Sequence, residues 1–223
     1  MIFPCPLCHA TATQDFFKRT DKSFGIRHYL KCTHCSLIFL SPNLRLSPDQ
    51  EKARYQNHQN SPNQLGYVKH LKKLTQPLLK KIKPNSSGLD FGCGLGPAIQ
   101  NILTDFNIKL YDPFFYSEPD LLNRQYDFIT CTEVAEHFYN PHQEFKLLHS
   151  LLKPESSFLG IMTQRLKNEN EFKNWWYHLD PTHVCFYQQK TFDWIGAWLN
   201  MKPEYLGDDV VIFENFCHPR KAR

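Results

Sequence analysis

From residue 85 onward the chain alternates short apolar segments with longer amphipathic ones, and this alternation restricts its fold more than any other feature. The apolar segments suit β-strands and lie at residues 87–91, 108–111, 126–131, 158–162 and 210–213. Helical spacing is found at residues 97–103, 133–152, 169–177 and 190–199. Such alternation predicts an α/β fold in which a mostly parallel sheet carries helices on both faces. Because ligands bind outside the carboxyl ends of such strands, functional residues are expected directly after Phe91, Tyr111 and Cys131.

The 223 residues divide into three regions on this basis. Residues 1–41 hold two closely spaced cysteine pairs, and residues 42–84 are polar and then become helical around 67–82. Residues 85–223 hold the strand–helix alternation. We therefore predict a small cysteine-rich unit, a helical linker or lid, and one α/β domain.

Composition and charge argue against several other classes of protein. No segment approaches the roughly 18 consecutive apolar residues that span a membrane, and residues 1–10 lack the basic and apolar parts of a secretory signal. The formal net charge of +4 does not by itself indicate nucleic-acid binding, which requires basic residues clustered on one face. Single cysteines beside apolar segments suit a reducing compartment, so we expect a cytoplasmic protein without membrane association. The sequence carries no signal for an oligomeric state.

Four cysteines form two C-x-x-C pairs, Cys5 with Cys8 and Cys32 with Cys35, and 23 residues separate the pairs. Two turns that each present two thiolates can complete the tetrahedral shell of Zn²⁺. A unit of about 40 residues cannot bury a large core and gains stability from such a metal. Two disulfides are the alternative, but paired spacing in a reducing compartment favours zinc. We predict a structural zinc ribbon with these four ligands.

A glycine-rich loop follows the first predicted strand of the α/β domain and leads into a predicted helix. It reads Leu89-Asp90-Phe91-Gly92-Cys93-Gly94-Leu95-Gly96. Glycines permit positive φ and let a ligand approach the backbone, while the helix N-terminus attracts a carboxylate. A dinucleotide-binding loop would place glycine or alanine where this chain has Pro97, so a different cofactor is expected.

An acidic residue, Asp112, lies 20 residues after Gly92 and directly after the second predicted strand. Its carboxylate can accept hydrogen bonds from both hydroxyls of a ribose. The alternative is a structural Asp-Pro turn, because Pro113 follows. Together, the loop and the acid favour a cofactor that contains a nucleoside.

The order of these motifs resembles that of the class I S-adenosylmethionine-dependent methyltransferases. The resemblance covers residues 85–215 and includes the glycine loop, Asp112, the segment Y-D-F-I-T-C-T-E-V-A-E-H at 126–137, and L-L-K-P at 151–154. It implies a Rossmann-like sheet of seven strands with a reversed final hairpin. Only 13 residues separate Asp112 from Tyr126, so the third strand of that family is expected to be short or missing. The segment K-C-T-H-C-S-L-I-F-L-S-P at 31–42 resembles the zinc-binding segment fused to certain bacterial members.

The same resemblance implies S-adenosylmethionine as the cofactor and assigns residues to it. Asp90, Gly92 and Gly94 would border its methionine part, and Asp112 its ribose. The predicted cofactor site is completed by the neighbouring residues Cys93, Gly96, Pro113, Thr132 and Glu133.

The strand predicted at 126–131 is followed by the pattern E-x-x-E-H, formed by Glu133, Glu136 and His137. Glutamates three residues apart share one face of a helix. The pattern resembles the divalent-metal motif of small-RNA 2′-O-methyltransferases and of some quinone O-methyltransferases, which implies a second metal that could activate an acceptor. Glu-His at this place is also common in methyltransferases without a metal, so both alternatives stay open, with His137 a catalytic candidate.

Residues 175–187 combine two histidines, an acid and several aromatic rings, which suits the wall of a pocket. The catalytic candidates here are His178, Asp180 and His183. His183 could act as a general base because the ordinary pKa of histidine lies near working pH. The alternative is a histidine whose hydrogen bonds fix the Asp-Pro turn. The candidate substrate contacts are Arg54, Tyr55, His58, Tyr67 and Tyr177.

These features predict a methyltransferase that acts on an oxygen or carbon of a small molecule. One alternative is an RNA methyltransferase that grips RNA with the ribbon, although residues 1–41 are only mildly basic. Another is a non-catalytic cofactor-binding protein, which would not require Asp90, Asp112 and a polar pocket.

Overall fold

The computed structural model describes residues 3–56 and 64–216, and within them two β-sheets and five α-helices form. The strands are β1 (Thr13–Asp21), β2 (Gly25–Cys32), β3 (Ile38–Leu40), β4 (Ser87–Phe91), β5 (Asn107–Tyr111), β6 (Phe128–Thr132), β7 (Ser157–Met162), β8 (Cys185–Phe186), β9 (Met201–Leu206) and β10 (Val210–Asn215). The helices are α1 (Pro48–Tyr55), α2 (Leu65–Leu79), α3 (Ile99–Ile102), α4 (Pro141–Ser150) and α5 (Gln189–Leu199). No helix in the described ranges is long and apolar enough to cross a membrane.

The central sheet has the strand order β5-β4-β6-β7-β10-β9. Strands β4 to β7 pair in parallel, whereas β10 runs antiparallel to β7 and to β9, as the predicted final hairpin requires. The predicted α/β Rossmann-like fold is confirmed, but the number of seven strands is wrong: the described residues form six in this sheet. Where the family's third strand would lie, the chain forms a turn at Asp112–Tyr116 and a 3₁₀ helix at Pro119–Asn123. Pro113 and Pro119 lack the N–H donors that a strand in a sheet needs.

Helices cover both faces of this sheet because buried side chains alternate along its strands. Ile129 and Ile161 belong to the apolar core that includes α4 and α5. Phe128 and Met162 point to the opposite face, where they join the buried residues of α2 and α3. The approach of α2 is close: a Cβ on Gly160 would lie 2.7 Å from Leu74 Cδ1.

Two long helices predicted from the sequence are interrupted. Residues 133–152 contain a 3₁₀ turn at Ala135–His137 and then α4, which begins at Pro141 because proline suits the first helical turn. Residues 169–177 form two short 3₁₀ segments rather than one α-helix. These interruptions place several polar side chains beside the carboxyl ends of the sheet.

The N-terminal sheet has the order β1-β2-β3-β8, so its last strand comes from the other end of the sequence. Ile38 and Phe39 of β3 pair with Phe186 and Cys185 of β8, and all four side chains are buried. Residues of both sheets belong to one continuous apolar core. The cysteine-rich segment is therefore packed against the α/β part through shared strands and a shared core.

Candidate functional site

A cavity of about 970 Å³ lies at the carboxyl ends of β4, β5 and β6, where the sequence predicted the functional residues. Its wall includes two groups of residues. The group that we call the loop half consists of residues 92–96 and 111–115. The group that we call the histidine half consists of Glu136, His137, Tyr177, Asp180 and His183.

The glycine loop at 92–96 has the backbone geometry that the sequence predicted. Gly92 has φ 76° and donates its N–H to Tyr111 O at 2.8 Å. A Cβ there would lie 2.4 Å from Val134 Cγ2, so only glycine fits. Gly94 has φ 65°, yet a Cβ there would meet nothing within 4 Å. Gly94 therefore leaves open space in which a ligand can approach the backbone.

The Asp112 carboxylate holds the loop half together. Its Oδ2 accepts a hydrogen bond from Gly94 N at 3.0 Å, and its Oδ1 accepts from Phe114 N at 2.9 Å and Phe115 N at 3.2 Å. The backbone N–H groups of Asp112 and Tyr116 each donate to the carbonyl of the other residue, so a turn is also present. The carboxylate lies at the cavity wall, and its three hydrogen bonds from backbone N–H groups hold it in one orientation.

Asp90 does not line the cavity, because it lies beneath the glycine loop. Its side chain is 2% exposed, and Oδ1 accepts a hydrogen bond from Thr130 Oγ1 at 2.9 Å. Burial raises the pKa of Asp90 to about 7; the Thr130 hydrogen bond opposes this shift and the charge of Asp112 adds to it. Asp90 can therefore change its charge near neutral pH.

The remaining predicted cofactor residues line the cavity, together with neighbours that the sequence interpretation missed. Cys93, Gly96, Pro113, Thr132 and Glu133 are all wall residues. The missed wall residues include Phe114, Phe115, Phe138 and Leu147. The signal for the first two was available, since two aromatic residues directly follow the Asp-Pro pair. In the described segment 113–125, no acidic residue lines the wall. The aromatic rings of Phe114 and Phe115 line it instead.

The two histidines of the histidine half lie close together with defined ring orientations. Their ring centroids are 4.8 Å apart, and His183 also packs on Tyr177 at 4.2 Å. His183 Nδ1 is 2.7 Å from Tyr177 O, and His137 Nδ1 is 3.1 Å from Thr182 O. A carbonyl oxygen only accepts, so each Nδ1 carries the proton and, in the neutral ring, Nε2 carries the lone pair.

Glu136 lies at the base of the histidine half and is fully buried. Its Oε1 accepts a 2.6 Å hydrogen bond from the Tyr177 hydroxyl, which is also 3.1 Å from Thr163 Oγ1. Its Oε2 has no hydrogen-bond partner among the described residues. Burial, followed by the charge of Glu133, raises the pKa of Glu136 well above its ordinary range.

Asp180 connects the histidine half to α1. Its Oδ1 accepts hydrogen bonds from Thr182 N at 3.0 Å and Thr182 Oγ1 at 2.7 Å, and its Oδ2 pairs with Arg54 Nη2 at 3.2 Å. Burial alone would raise the pKa of Asp180, but these hydrogen bonds and the nearby His183 and Arg54 lower it to about 2. Asp180 is therefore ionised at neutral pH, which makes it unsuitable as a general base.

Most of the predicted substrate contacts reach the same cavity. Arg54, Tyr55, Tyr67 and Tyr177 line it, and the Tyr55 ring is perpendicular to the His137 ring at 5.2 Å. His58 lies outside the described residues. Among the described residues, the cavity wall carries more acidic side chains than guanidinium groups. Arg54 provides the guanidinium, and the acids are Glu51, Asp112, Glu133, Glu136, Glu144 and Asp180. This excess of acids favours a cationic ligand.

His178 does not reach the cavity. Its ring stacks on Phe172 at 4.9 Å and lies 5.5 Å from Phe17 and 5.7 Å from Tyr29, in the core between the two sheets. Burial lowers the pKa of His178, so its ring stays neutral. We therefore withdraw His178 as a catalytic candidate.

Two groups of side chains are arranged to bind metal ions. In the first, Cys5, Cys8, Cys32 and Cys35 bring their four sulfurs within 4.8 Å of one another. Cys5 Sγ lies 3.5 Å from Cys35 Sγ, and Cys8 Sγ lies 3.5 Å from Cys32 Sγ. Sulfurs bound to one tetrahedral zinc ion are about 3.8 Å apart, so the arrangement is compatible with a zinc site.

The second group differs from the one predicted from the sequence. Glu136 and His137 converge with His183, not with Glu133. Glu133 has φ 53°, and its Oε1 pairs instead with His70 Nε2 at 3.2 Å. The positive φ of Glu133 marks a turn of the backbone immediately after β6.

Comparison with known proteins identifies the α/β part. A family model described as a methyltransferase domain matches residues 62–201. An O-methyltransferase family protein from Burkholderia thailandensis has 8% identity and a TM-score of 0.52, over 74% of this chain and 62% of that one. A SAM-dependent methyltransferase from Archaeoglobus fulgidus has 18% identity and a TM-score of 0.48, over 69% and 74%. None of the curated proteins compared matches the sequence. The matched residues include the loop half and the histidine half of the cavity, of which His183 is the last residue.

Proposed function

Because the chain belongs to the methyltransferase-domain family, we propose that it transfers a methyl group from S-adenosylmethionine to an oxygen or carbon of a small molecule. The observation that carries this proposal is the joint geometry of Gly94 and Asp112. The carboxylate is oriented by three backbone N–H groups, and the open space at Gly94 lies beside it. These features fit a nucleoside whose ribose hydroxyls donate to Asp112 and whose chain passes close to the loop.

The charges of the cavity also fit this cofactor. S-Adenosylmethionine carries a positive sulfonium, and the wall of the cavity carries several carboxylates, among them Asp112 and Glu133. Phe114 and Leu147 provide apolar surface on which an adenine ring could lie. When bound, the cofactor supplies a methyl group that is already activated, so the protein must chiefly orient the acceptor and exclude water.

The histidine half is where we place the acceptor. His137, Tyr177 and His183 face the same cavity as the loop half, and Arg54 and Tyr55 of α1 close it on the side of the linker. The Nε2 lone pair of His183 suits either a general base or a metal ligand. The buried position of these groups favours an acceptor small enough to enter a cavity of about 970 Å³.

Neither alternative predicted from the sequence gains comparable support. For an RNA methyltransferase, Lys18 and Arg19 of the ribbon should be available to phosphates, but they pair with Asp15 and Asp21. For a non-catalytic protein, the orphan carboxylate oxygen of Glu136 would serve no purpose in a buried wall.

We expect Asp112→Ala to bind S-adenosylhomocysteine at least about 100-fold more weakly than the wild type, because two hydrogen bonds to a charged acceptor are worth roughly 3 kcal/mol or more. Isothermal titration calorimetry measures this without knowledge of the acceptor. Asp120→Ala is the matched control, since it removes the same charge from an exposed position in the 3₁₀ helix Pro119–Asn123. Unchanged affinity of a folded Asp112→Ala variant would refute the ribose assignment, and a wild type that binds no cofactor would refute the proposed function.

For the ribbon we propose a structural zinc ion bound by Cys5, Cys8, Cys32 and Cys35. Four thiolates close the tetrahedral shell and leave no position for a substrate. Metal analysis of the purified protein is expected to find one zinc per chain that resists dialysis. A folded protein that contains no zinc would contradict the ribbon assignment.

A further inference from the structure

The proposed function leaves three converging side chains of the histidine half without a defined role. Glu136, His137 and His183 each offer one ligand atom, and these atoms lie within 4.8 Å of one another. Ligands about 2.1 Å from one ion are up to about 4.2 Å apart, so small side-chain rotations bring all three onto a common centre. The set comprises two imidazoles and one carboxylate.

Hydrogen bonds to backbone carbonyl groups orient both histidine rings as metal ligands. Each donates its Nδ1 proton to a carbonyl, His137 to Thr182 and His183 to Tyr177, which directs the lone pair to Nε2. Metal-binding histidines commonly show this second hydrogen bond, because it fixes the ring and increases the basicity of the ligand nitrogen. The two ligand segments are joined by the hydrogen bond from Val184 N to Glu136 O at 2.8 Å.

The strongest independent observation is the unpaired oxygen of Glu136. The residue is fully buried, the Tyr177 hydroxyl satisfies Oε1, and Oε2 has no hydrogen-bond partner in the part of the chain that the structure describes. No lysine or arginine of that part forms a salt bridge with Glu136 either, since Arg54 pairs with Asp180. A buried carboxylate without a partner is costly, and a cation bound at Oε2 removes that cost.

We propose that Glu136, His137 and His183 bind one divalent transition-metal ion, and that the ion binds the oxygen of the methyl acceptor. This inference rests on the proposed function and narrows it to oxygen acceptors, a hydroxyl or phenol. Three protein ligands leave open coordination positions, which is the usual arrangement of a catalytic metal and unlike the closed shell of the ribbon. Nitrogen and oxygen donors together suit Mn²⁺, Fe²⁺, Co²⁺ or Zn²⁺.

The ion would act on the acceptor and not on the methyl donor. A divalent cation lowers the pKa of a bound hydroxyl, whose proton then leaves to water. The acceptor oxygen attacks the methyl carbon, a carbon–oxygen bond forms, and the carbon–sulfur bond breaks with its electron pair left on sulfur. The lone pair of His183 is then used as a ligand and not as a general base.

Titration with Mn²⁺ of protein that carries one zinc per chain, followed by electron paramagnetic resonance, tests the site without an acceptor, because that zinc occupies the four cysteines and leaves the second site for Mn²⁺. Mn²⁺ is chosen because it prefers oxygen and nitrogen donors and does not compete for the four cysteines. We expect one bound Mn²⁺ per wild-type chain, and at least tenfold weaker binding in Glu136→Gln and in His183→Gln. Glu118→Gln is the matched control and should bind Mn²⁺ as the wild type does, since it removes the same charge from an exposed position outside the cavity wall.

Binding of S-adenosylhomocysteine is measured on the same samples, so that the two proposals are tested separately. Intact cofactor binding with loss of Mn²⁺ in the two ligand variants supports the metal site and shows that these variants are folded. A wild type that binds cofactor but neither Mn²⁺ nor Co²⁺ at millimolar concentration overturns the metal site alone. Equal Mn²⁺ affinity in Glu136→Gln and the wild type also overturns it, whereas loss of cofactor binding in the wild type overturns the proposed function.

Discussion

Cys35→Ser is expected to lower the melting temperature by roughly 6–12 °C or more, although the residue is far in sequence from the cavity. Structural zinc contributes about 10–16 kcal/mol of folding free energy in small zinc domains. Loss of even about 3 kcal/mol of that shifts the melting temperature of a chain of this size by roughly 6–12 °C. Differential scanning calorimetry together with zinc analysis measures the effect.

The same substitution should also loosen the histidine half, because the ribbon supports it directly. Leu40 N donates to Val184 O at 2.9 Å, and the buried Arg27 donates from Nη2 to Pro181 O at 2.8 Å. The two acceptor residues, Pro181 and Val184, lie on either side of His183 in the sequence. We expect hydrogen exchange of the Leu40 amide, and of the amides of β8, to be faster in Cys35→Ser, because β8 pairs with β3 and an ordered ribbon no longer holds this pairing.

Cys185→Ser is the matched control for this prediction. Cys185 is equally buried and lies in the same four-stranded sheet, but it is outside the metal-binding group and donates to Phe138 O, which a serine hydroxyl can also do. It should therefore change the melting temperature much less and leave the zinc content unchanged. Equal melting temperatures for the two variants would contradict a stabilising metal in the ribbon.

The parts of the site that were predictable from sequence are those set by local backbone rules. Gly92 and Gly94 adopt the positive φ that only glycine tolerates well, and Asp112 directly follows its strand. The short segment after Asp112 likewise indicated the missing strand, because 13 residues between Asp112 and Tyr126 leave little room for one. Such features depend on residues near one another in sequence.

The parts that were not predictable depend on contacts between distant segments. His178 was expected in the pocket, but its ring packs against Phe17 and Tyr29 of the ribbon in the core between the sheets. Glu133 was expected beside Glu136 on one helix face, yet the helix begins later and a 3₁₀ turn brings Glu136 toward His183 instead. Sequence spacing alone contains neither the packing of the ribbon nor this change of helix type.

Asp90→Asn is expected to stabilise the folded protein at neutral pH while it weakens cofactor binding. The pKa of Asp90 is raised by burial to about 7, whereas an unfolded chain ionises aspartate near its ordinary value of 3.8. The folded state therefore holds a proton that the unfolded state has lost, and stability decreases as pH rises from about 4 to about 7. Three pKa units correspond to at most about 4 kcal/mol.

Asparagine cannot ionise, so it removes this loss of folding stability at neutral pH while it keeps the hydrogen bond with Thr130. Its side-chain oxygen can still accept from Thr130 Oγ1, as Asp90 Oδ1 does at 2.9 Å. The unfolding free energy of Asp90→Asn should thus exceed that of the wild type by a margin that grows between pH 4 and pH 7 and stays constant above. Chemical denaturation at several pH values measures this margin, and a margin that does not change with pH would contradict the raised pKa.

The functional reason to keep an aspartate at this costly position is its negative charge beneath the glycine loop. A sulfonium in the cavity would favour the ionised form of Asp90, so S-adenosylmethionine should bind more tightly as pH rises through about 7. S-Adenosylhomocysteine lacks that charge, and its affinity should depend less on pH. Asp90→Asn should therefore weaken S-adenosylmethionine more than S-adenosylhomocysteine at pH 8. Equal losses for the two ligands would mean that Asp90 acts only through the shape of the loop, because the two ligands differ chiefly in the positive charge on sulfur.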